Sequence, residues 1–200
     1  MNRKIVYLDT ETTGLDYSDE IVQLGVVDDE GKVLIDSLVR PQTVHSWPEA
    51  QAIHGISPND VKVAPPLEQL ESQLITAIQD CIVVIYNRDY DLRYLPLSVL
   101  DSAHATVCAM HAYAEYRGEW NDYFGNYRWH KLVNAARHVG HKWTGRAHSA
   151  VADALACRSV WHFLPGNIKT RYITEALEDK KPPPLSDAES SAEPYDDVPF

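Results

Sequence analysis

The apolar run Ile5-Val6-Tyr7-Leu8 is followed at once by two carboxylates, Asp9 and Glu11, one residue apart. The run reads as a buried strand, and residues i and i+2 of a strand point to one face. Two charges therefore sit side by side at the end of a strand that is drawn into the interior. Like charges held so close repel and resist losing water unless a cation binds between them. Any fold of this chain has to bring a partner to that strand end.

The rest of the chain supplies the surroundings. Residues 20–28 and 33–39 read as strands joined by the turn signal Asp28-Asp29-Glu30-Gly31-Lys32, and with 4–9 they suggest an antiparallel meander. A loop rich in His, Trp and Pro (41–66) carries a short helix at 48–54. Leu67, Leu70, Leu74, Ile75 and Ile78 stand at helical spacing, which predicts an amphipathic helix over 66–80 feeding a buried strand at 81–87. A helix near 90–95, a short strand at 97–101 and helices at 103–117, 129–139 and 148–163 complete the pattern. Three strands followed by alternating helices and strands argue for an α/β fold with a mixed sheet flanked by helices.

Composition narrows the class. Of 200 residues, 44% are hydrophobic and 24% charged, as expected for one soluble globular domain. No apolar stretch approaches the roughly 20 residues of a membrane span, and the N-terminus does not read as a signal peptide. Cys81, Cys108 and Cys157 are scattered among apolar residues, which reads as reduced core thiols in a cytoplasm. From residue 178 onward the text is rich in Pro, Ser and acids, a composition expected of a disordered tail beyond a domain at 1–177. The net charge is −11; the tail's seven acids and two lysines account for −5 of it, leaving −6 for the domain. Overall charge does not attract phosphates here, so bound cations and local Arg or Lys have to.

Further acids lie in telling places. Asp91 follows the buried strand 81–87, and Asp153 lies on a helix among Ala, Val and Leu, with His148 five residues ahead. A carboxylate on a packed helix is costly without a partner. Oxygen-rich clusters suit Mg²⁺ or Mn²⁺ rather than Zn²⁺. Two such ions about 3.5–4 Å apart can clamp the attacking and leaving oxygens of a phosphodiester. A histidine beside them can take the proton of the attacking water.

The stretches LDTETTGL, IHGIS, YNRDYDLRYL and AHSAVADA, in this order between about residues 4 and 164, resemble the DnaQ-like 3′→5′ exonucleases, whose acids read Asp-Glu-Asp-Asp with a final His. The resemblance implies a ribonuclease H-like fold with a five-stranded mixed sheet. It implies that Asp9, Glu11, Asp91 and Asp153 bind two metal ions and that His148 is the general base. It also implies that Thr12, Thr13, Gly14 and Leu15 meet the terminal nucleotide, with Leu15 as a wedge, and that His54 and Asn87 lie near the substrate. Tyr86 stands where the family usually has His, and Asp89 competes with Asp91, which the register favours. The expected activity is release of nucleoside 5′-monophosphates from DNA 3′ ends. Trimming of RNA by the same fold, and a non-catalytic recruiting module, are the alternatives; a complete acid set argues against the second.

Three features lie outside that set. His104, Cys108 and His111 are at helical spacing suggestive of zinc, but no fourth ligand is evident. The aromatic segment 113–131, with Arg117, Arg128 and Lys131, could stack bases or cover the sheet; Arg88, Arg93 and Arg146 also lie near the motifs. The last residues, Asp196, Asp197, Val198, Pro199 and Phe200, resemble the terminal tip of bacterial single-stranded DNA-binding proteins, which implies docking on proteins that bind that tip.

Overall fold

The computed structural model describes residues 3–143 and 148–180. The tip Asp196–Phe200, the rest of the expected tail from 181, and Arg146 lie outside the described residues. Five strands form one mixed sheet in the order β3-β2-β1-β4-β5: β1 (Ile5–Thr12), β2 (Ile21–Asp28), β3 (Val33–Leu38), β4 (Ile82–Ile85) and β5 (Ala105–Cys108). β1–β2 and β2–β3 are antiparallel, while β1–β4 and β4–β5 are parallel. The expected five-stranded α/β architecture is therefore present, with β1 at its centre.

The strand period divides the core. Val6 and Leu8 pack on one face with Leu70, Leu74 and Ile78 of α2 (Leu67–Ile78), between α1 (Pro48–His54) and β4. Tyr7 faces the other side, onto Ala154, Cys157 and Trp161 of α7 (Ala150–Phe163). That second layer also includes α5 (Ala109–Arg117), α6 (Leu132–His138) and α8 (Gly166–Asp179). Cys81, Cys108 and Cys157 are buried and unbridged. No helix among the described residues is long and apolar enough to cross a membrane.

The structure corrects several boundaries. Residues 97–101 are not a strand: Pro96 opens the short helix α4 (Leu97–Ser102), as its fixed φ favours. The last strand of the five-stranded sheet is instead β5, where a helix starting at 103 was expected. Four residues carry too little periodicity to declare themselves, and pairing with β4 defines this strand. Cys108 thus ends a strand, so His104, Cys108 and His111 do not share the helical face that suggested zinc. A two-stranded hairpin, β6 (Trp120–Asn121) and β7 (Asn126–Tyr127), and helix α8 were not expected. A single helical turn, α3 (Arg88–Asp91), follows β4.

Candidate active site

Asp9 and Glu11 project from the end of β1 on the face that α7 covers. Asp153 stands on the helical stripe Ala150–Ala154–Cys157–Trp161 that packs on this face, so burying the stripe carries its carboxylate to the strand end. Carboxylate oxygens of Asp9, Glu11 and Asp153 lie within 4.8 Å of one another. A small backbone feature permits this. Gly25 pairs with Asp9 across β1–β2, and a Cβ there would lie 2.5 Å from the Ala150 carbonyl carbon. On the next pair of the same face, Glu11–Gln23, the Gln23 side-chain oxygen accepts a hydrogen bond from the Ala150 amide at 3.1 Å. Gly25 and Gln23 thus seat the start of α7, and neither was singled out in the sequence.

Asp91 reaches the site from the parallel side. β4 ends at Ile85, leaving the last residues of β1 without a neighbouring strand there. The amide and hydroxyl of Thr10 both donate to Asp91 Oδ1, at 3.0 and 2.8 Å, and Asp91 is buried. Asp89, the competing acid, points outward and pairs with Arg88 at 2.8 Å. His148 lies at the rim with its side chain 54% exposed, its Nδ1 3.9 Å from Asp153 Oδ2. Its φ of 63° is a conformation that costs a non-glycine residue about 1–2 kcal/mol.

The turn after β1 borders a cavity of about 750 Å³, lined by Thr12, Thr13, Gly14 and Leu15 together with His54 and Asn87. The turn is held from several sides. Tyr90 donates to the Gly14 carbonyl at 2.8 Å and also meets the Thr12 hydroxyl. Thr13 donates to Asp19 at 2.6 Å, and a Cβ on Gly14 would strike that same carboxylate. His54 Nδ1 accepts from the Ile56 amide at 3.0 Å, so its Nε2 carries the proton and donates to the Thr12 carbonyl at 3.2 Å. Leu15 is 78% exposed at the cavity edge. Tyr90 and Asp19, which fix this turn, were not anticipated as such; only Tyr90's place beside Asp91 hinted at it.

The profile of the exonuclease family RNase_T matches residues 6–160. The chain belongs to that family. It is 40% identical over 159 residues to an uncharacterized exonuclease, CP81, of Escherichia phage 186, covering 74% of this chain and 81% of the phage protein. It is 33% identical over 99 residues to the 3′-5′ exonuclease DinG of Staphylococcus aureus, a match covering 47% of this chain and 11% of that longer protein. Among solved structures, Exonuclease X in complex with 5′ overhanging duplex DNA superposes with TM-score 0.61 at 22% identity, covering 88% of this chain and 98% of that one. E. coli Exonuclease I in complex with a dA16 oligonucleotide gives TM-score 0.65 at 18% identity, over 87% of this chain and 43% of that one. The fold is thus the ribonuclease H-like fold of these nucleases.

The electrostatics of this exonuclease are those of a cluster short of positive charge. Burial pushes Asp9 well above the ordinary carboxylate range, with Asp91, Asp153 and Glu11 adding repulsion. Burial, then Asp153 and Asp91, raise Glu11 to about 8. Burial lifts Asp91 to about 7 against the lowering pull of the Thr10 hydrogen bonds. Asp153 is raised by burial and pulled back by His148. Glu11 Oε1 is buried without a hydrogen-bond partner among the described residues. An orphaned carboxylate oxygen amid other carboxylates is the donor set of a hard divalent cation. The site fits the divalent metal on which the family depends.

Proposed function

We propose that this exonuclease works in the 3′→5′ direction with Mg²⁺ or Mn²⁺, releasing nucleoside 5′-monophosphates from DNA 3′ ends. The observation that carries the reading is the convergence of Asp9, Glu11 and Asp153 around the unpartnered Glu11 oxygen, beside the cavity edged by Thr12–Leu15. These three acids, with Asp91 behind Thr10, would hold two ions. Bound there, the ions supply charge neutralisation for the phosphodiester and for its leaving oxygen.

The chain's own groups do the rest. His148, exposed at the rim with its Nδ1 3.9 Å from Asp153 Oδ2, takes the proton of the attacking water. The Thr12–Leu15 turn seats the terminal nucleotide, with Leu15 offering an apolar edge to its base. His54 ties α1 to the end of β1, keeping the seat in register with the acids. Asn87 lines the same cavity and offers an amide to the sugar or phosphate.

The preference for DNA is supported by the DNA-bound Exonuclease X and Exonuclease I, whose fold the chain shares. An RNA substrate has its own counterpart, a 3′-exonuclease that recognises a histone mRNA stem-loop. Incubation with DNA and RNA oligomers of one sequence, in Mg²⁺, Mn²⁺ or EDTA, tests both polarity and sugar. Faster release of deoxynucleoside monophosphates from the 3′ end supports the reading, and products from the 5′ end sink it.

The segment Asp196–Phe200 carries a separate proposal, that this acidic peptide with its apolar Val-Pro-Phe docks on proteins that bind the tip of single-stranded DNA-binding proteins. Anisotropy titrations of the peptide with and without Phe200 against such a protein test it. Equal affinity of the two would discard it.

A further inference from the structure

We propose that the hairpin β6–β7 and the Trp129 that follows it grip the strand 5′ of the scissile phosphate, stacking the bases that remain after each cleavage. The inference rests on the exonuclease reading above and names where the retained strand lies.

A 3′ exonuclease must hold its substrate on both sides of one phosphodiester. The cavity at Thr12–Leu15 offers room for the departing nucleotide. A second cavity of about 510 Å³ opens on the other side of the acids, lined by Trp129, Lys131 and Met110 and reaching His148 and Asp153. Asn87 lines both cavities, Glu11 the first and Asp153 the second. The acid cluster therefore stands between two compartments, and Trp129 belongs to the one the cleaved end would leave behind.

The hairpin β6–β7 ends at Tyr127, two residues before Trp129, and presents further aromatic surface to solvent. Trp120 and Trp129 are each 56% exposed, Tyr123 88% and Phe124 69%. Exposed large aromatics in one short segment mark a binding surface. Their support is built. Asn121 Oδ1 accepts from the amides of Tyr123 and Phe124 at 3.1 and 3.4 Å, and Gly125 closes the turn at φ +63° with its amide 2.9 Å from the Asn121 carbonyl. The tip is thus shaped by its own backbone, while the Tyr123 and Phe124 rings pack edge-on at 4.8 Å. Trp120 packs edge-on to Tyr127 at 5.2 Å, and Trp129 leans on His111 at 5.1 Å.

Charge favours a phosphate-bearing occupant over an apolar one. Arg128 and Lys131 flank Trp129 and are exposed. Arg117 is paired with Glu119 at 2.8 Å, and Asp122 is the one acid at the tip. Bases have apolar faces on an anionic backbone, and aromatic rings flanked by cations suit a single strand without regard to sequence. Continuity with the acid cluster identifies that strand as the substrate itself.

The test is steady-state kinetics on a dinucleotide and on a single strand of about twelve nucleotides. Wild type, Tyr123→Ala/Phe124→Ala and Trp129→Ala are compared, with circular dichroism as the folding check. The wild type should show a lower KM for the longer strand. Each variant should lose most of that advantage, its KM for the longer strand rising about tenfold, the loss of one or two stacked bases, with kcat little changed. Folded variants that keep the wild-type ratio of the two KM values would overturn the proposal. So would equal losses on both substrates, which would indicate a disturbed acid cluster. A wild type that cleaves neither strand in Mg²⁺ or Mn²⁺ would overturn the exonuclease reading and this inference with it.

Discussion

Gly25 faces Asp9 across the β1–β2 ladder and lies directly beneath the backbone of Ala150, where a Cβ would come within 2.5 Å of the carbonyl carbon and 2.6 Å of the Val151 amide. The residue opposite one acid thereby sets the height of the helix that carries another. Gly25→Val should lift the start of α7, cost about 1–3 kcal/mol of stability and lower kcat at least tenfold, because Asp153 moves with the helix. Urea unfolding and DNA hydrolysis measured together check this. Wild-type kcat in a folded Gly25→Val protein would show that the contact does not position Asp153.

Thr10 governs Asp91 from the opposite face of β1. Thr10→Val keeps the shape and the amide donor but removes the hydroxyl donor at 2.8 Å. Losing that bond should cost about 1–3 kcal/mol, raise Asp91 further and lower affinity for the divalent ion. Activity against Mg²⁺ concentration reads the change, expected as a shift to higher concentration with less effect at saturation.

The acid cluster should make the metal-free protein less stable at alkaline pH. Glu11 at about 8 and Asp91 at about 7 keep protons in the folded state that the unfolded chain has released above its ordinary 4.5 and 3.8. The stability they contribute is complete below those ordinary values and is lost as pH rises to about 8. In EDTA, Tm should fall between pH 5.5 and 8.5, and Glu11→Gln should flatten the fall. Added Mg²⁺ should restore Tm at the higher pH, since a cation replaces the protons. Calorimetry across this range decides it, and a metal-free Tm that rises with pH would contradict it.

His148, the proposed general base, stands exposed at the rim and outside the core. His148→Gln should leave Tm within about 2 °C of wild type, given its exposure. Its kcat should fall by about 10²–10⁴, the range of a lost general base, with KM little changed. Normal turnover in His148→Gln would remove it from the reaction.

Much of the site could be read from the chain because burial makes acids conspicuous. Asp9 and Glu11 ended an apolar run, and Asp153 interrupted an Ala-rich helix; each needed a partner, and the structure gives them one another. Residues whose role is to leave room gave no such signal: Gly25 acts through the side chain it lacks. β5 escaped because four residues, Ala105–Cys108, gain their conformation from β4 and not from any local period. The hairpin escaped for the same reason, its strands being two residues each. In α8, by contrast, Ile168, Tyr172, Ile173, Ala176 and Leu177 carry a helical period facing the core, so that helix has a signature in the sequence.

The dependence of cleavage on Asp153 and on the divalent ion is read from digestion of a 5′-labelled DNA oligomer by wild type and by Asp153→Asn, each in Mg²⁺ and in EDTA. Asparagine keeps the shape of Asp153 and removes its charge from the cluster. Metal-dependent 3′→5′ cleavage through Asp153 should leave a ladder shortening from the 3′ end for the wild type in Mg²⁺ alone, and full-length DNA in the other three reactions. A ladder from folded Asp153→Asn at the wild-type rate, or one that persists in EDTA, would contradict it.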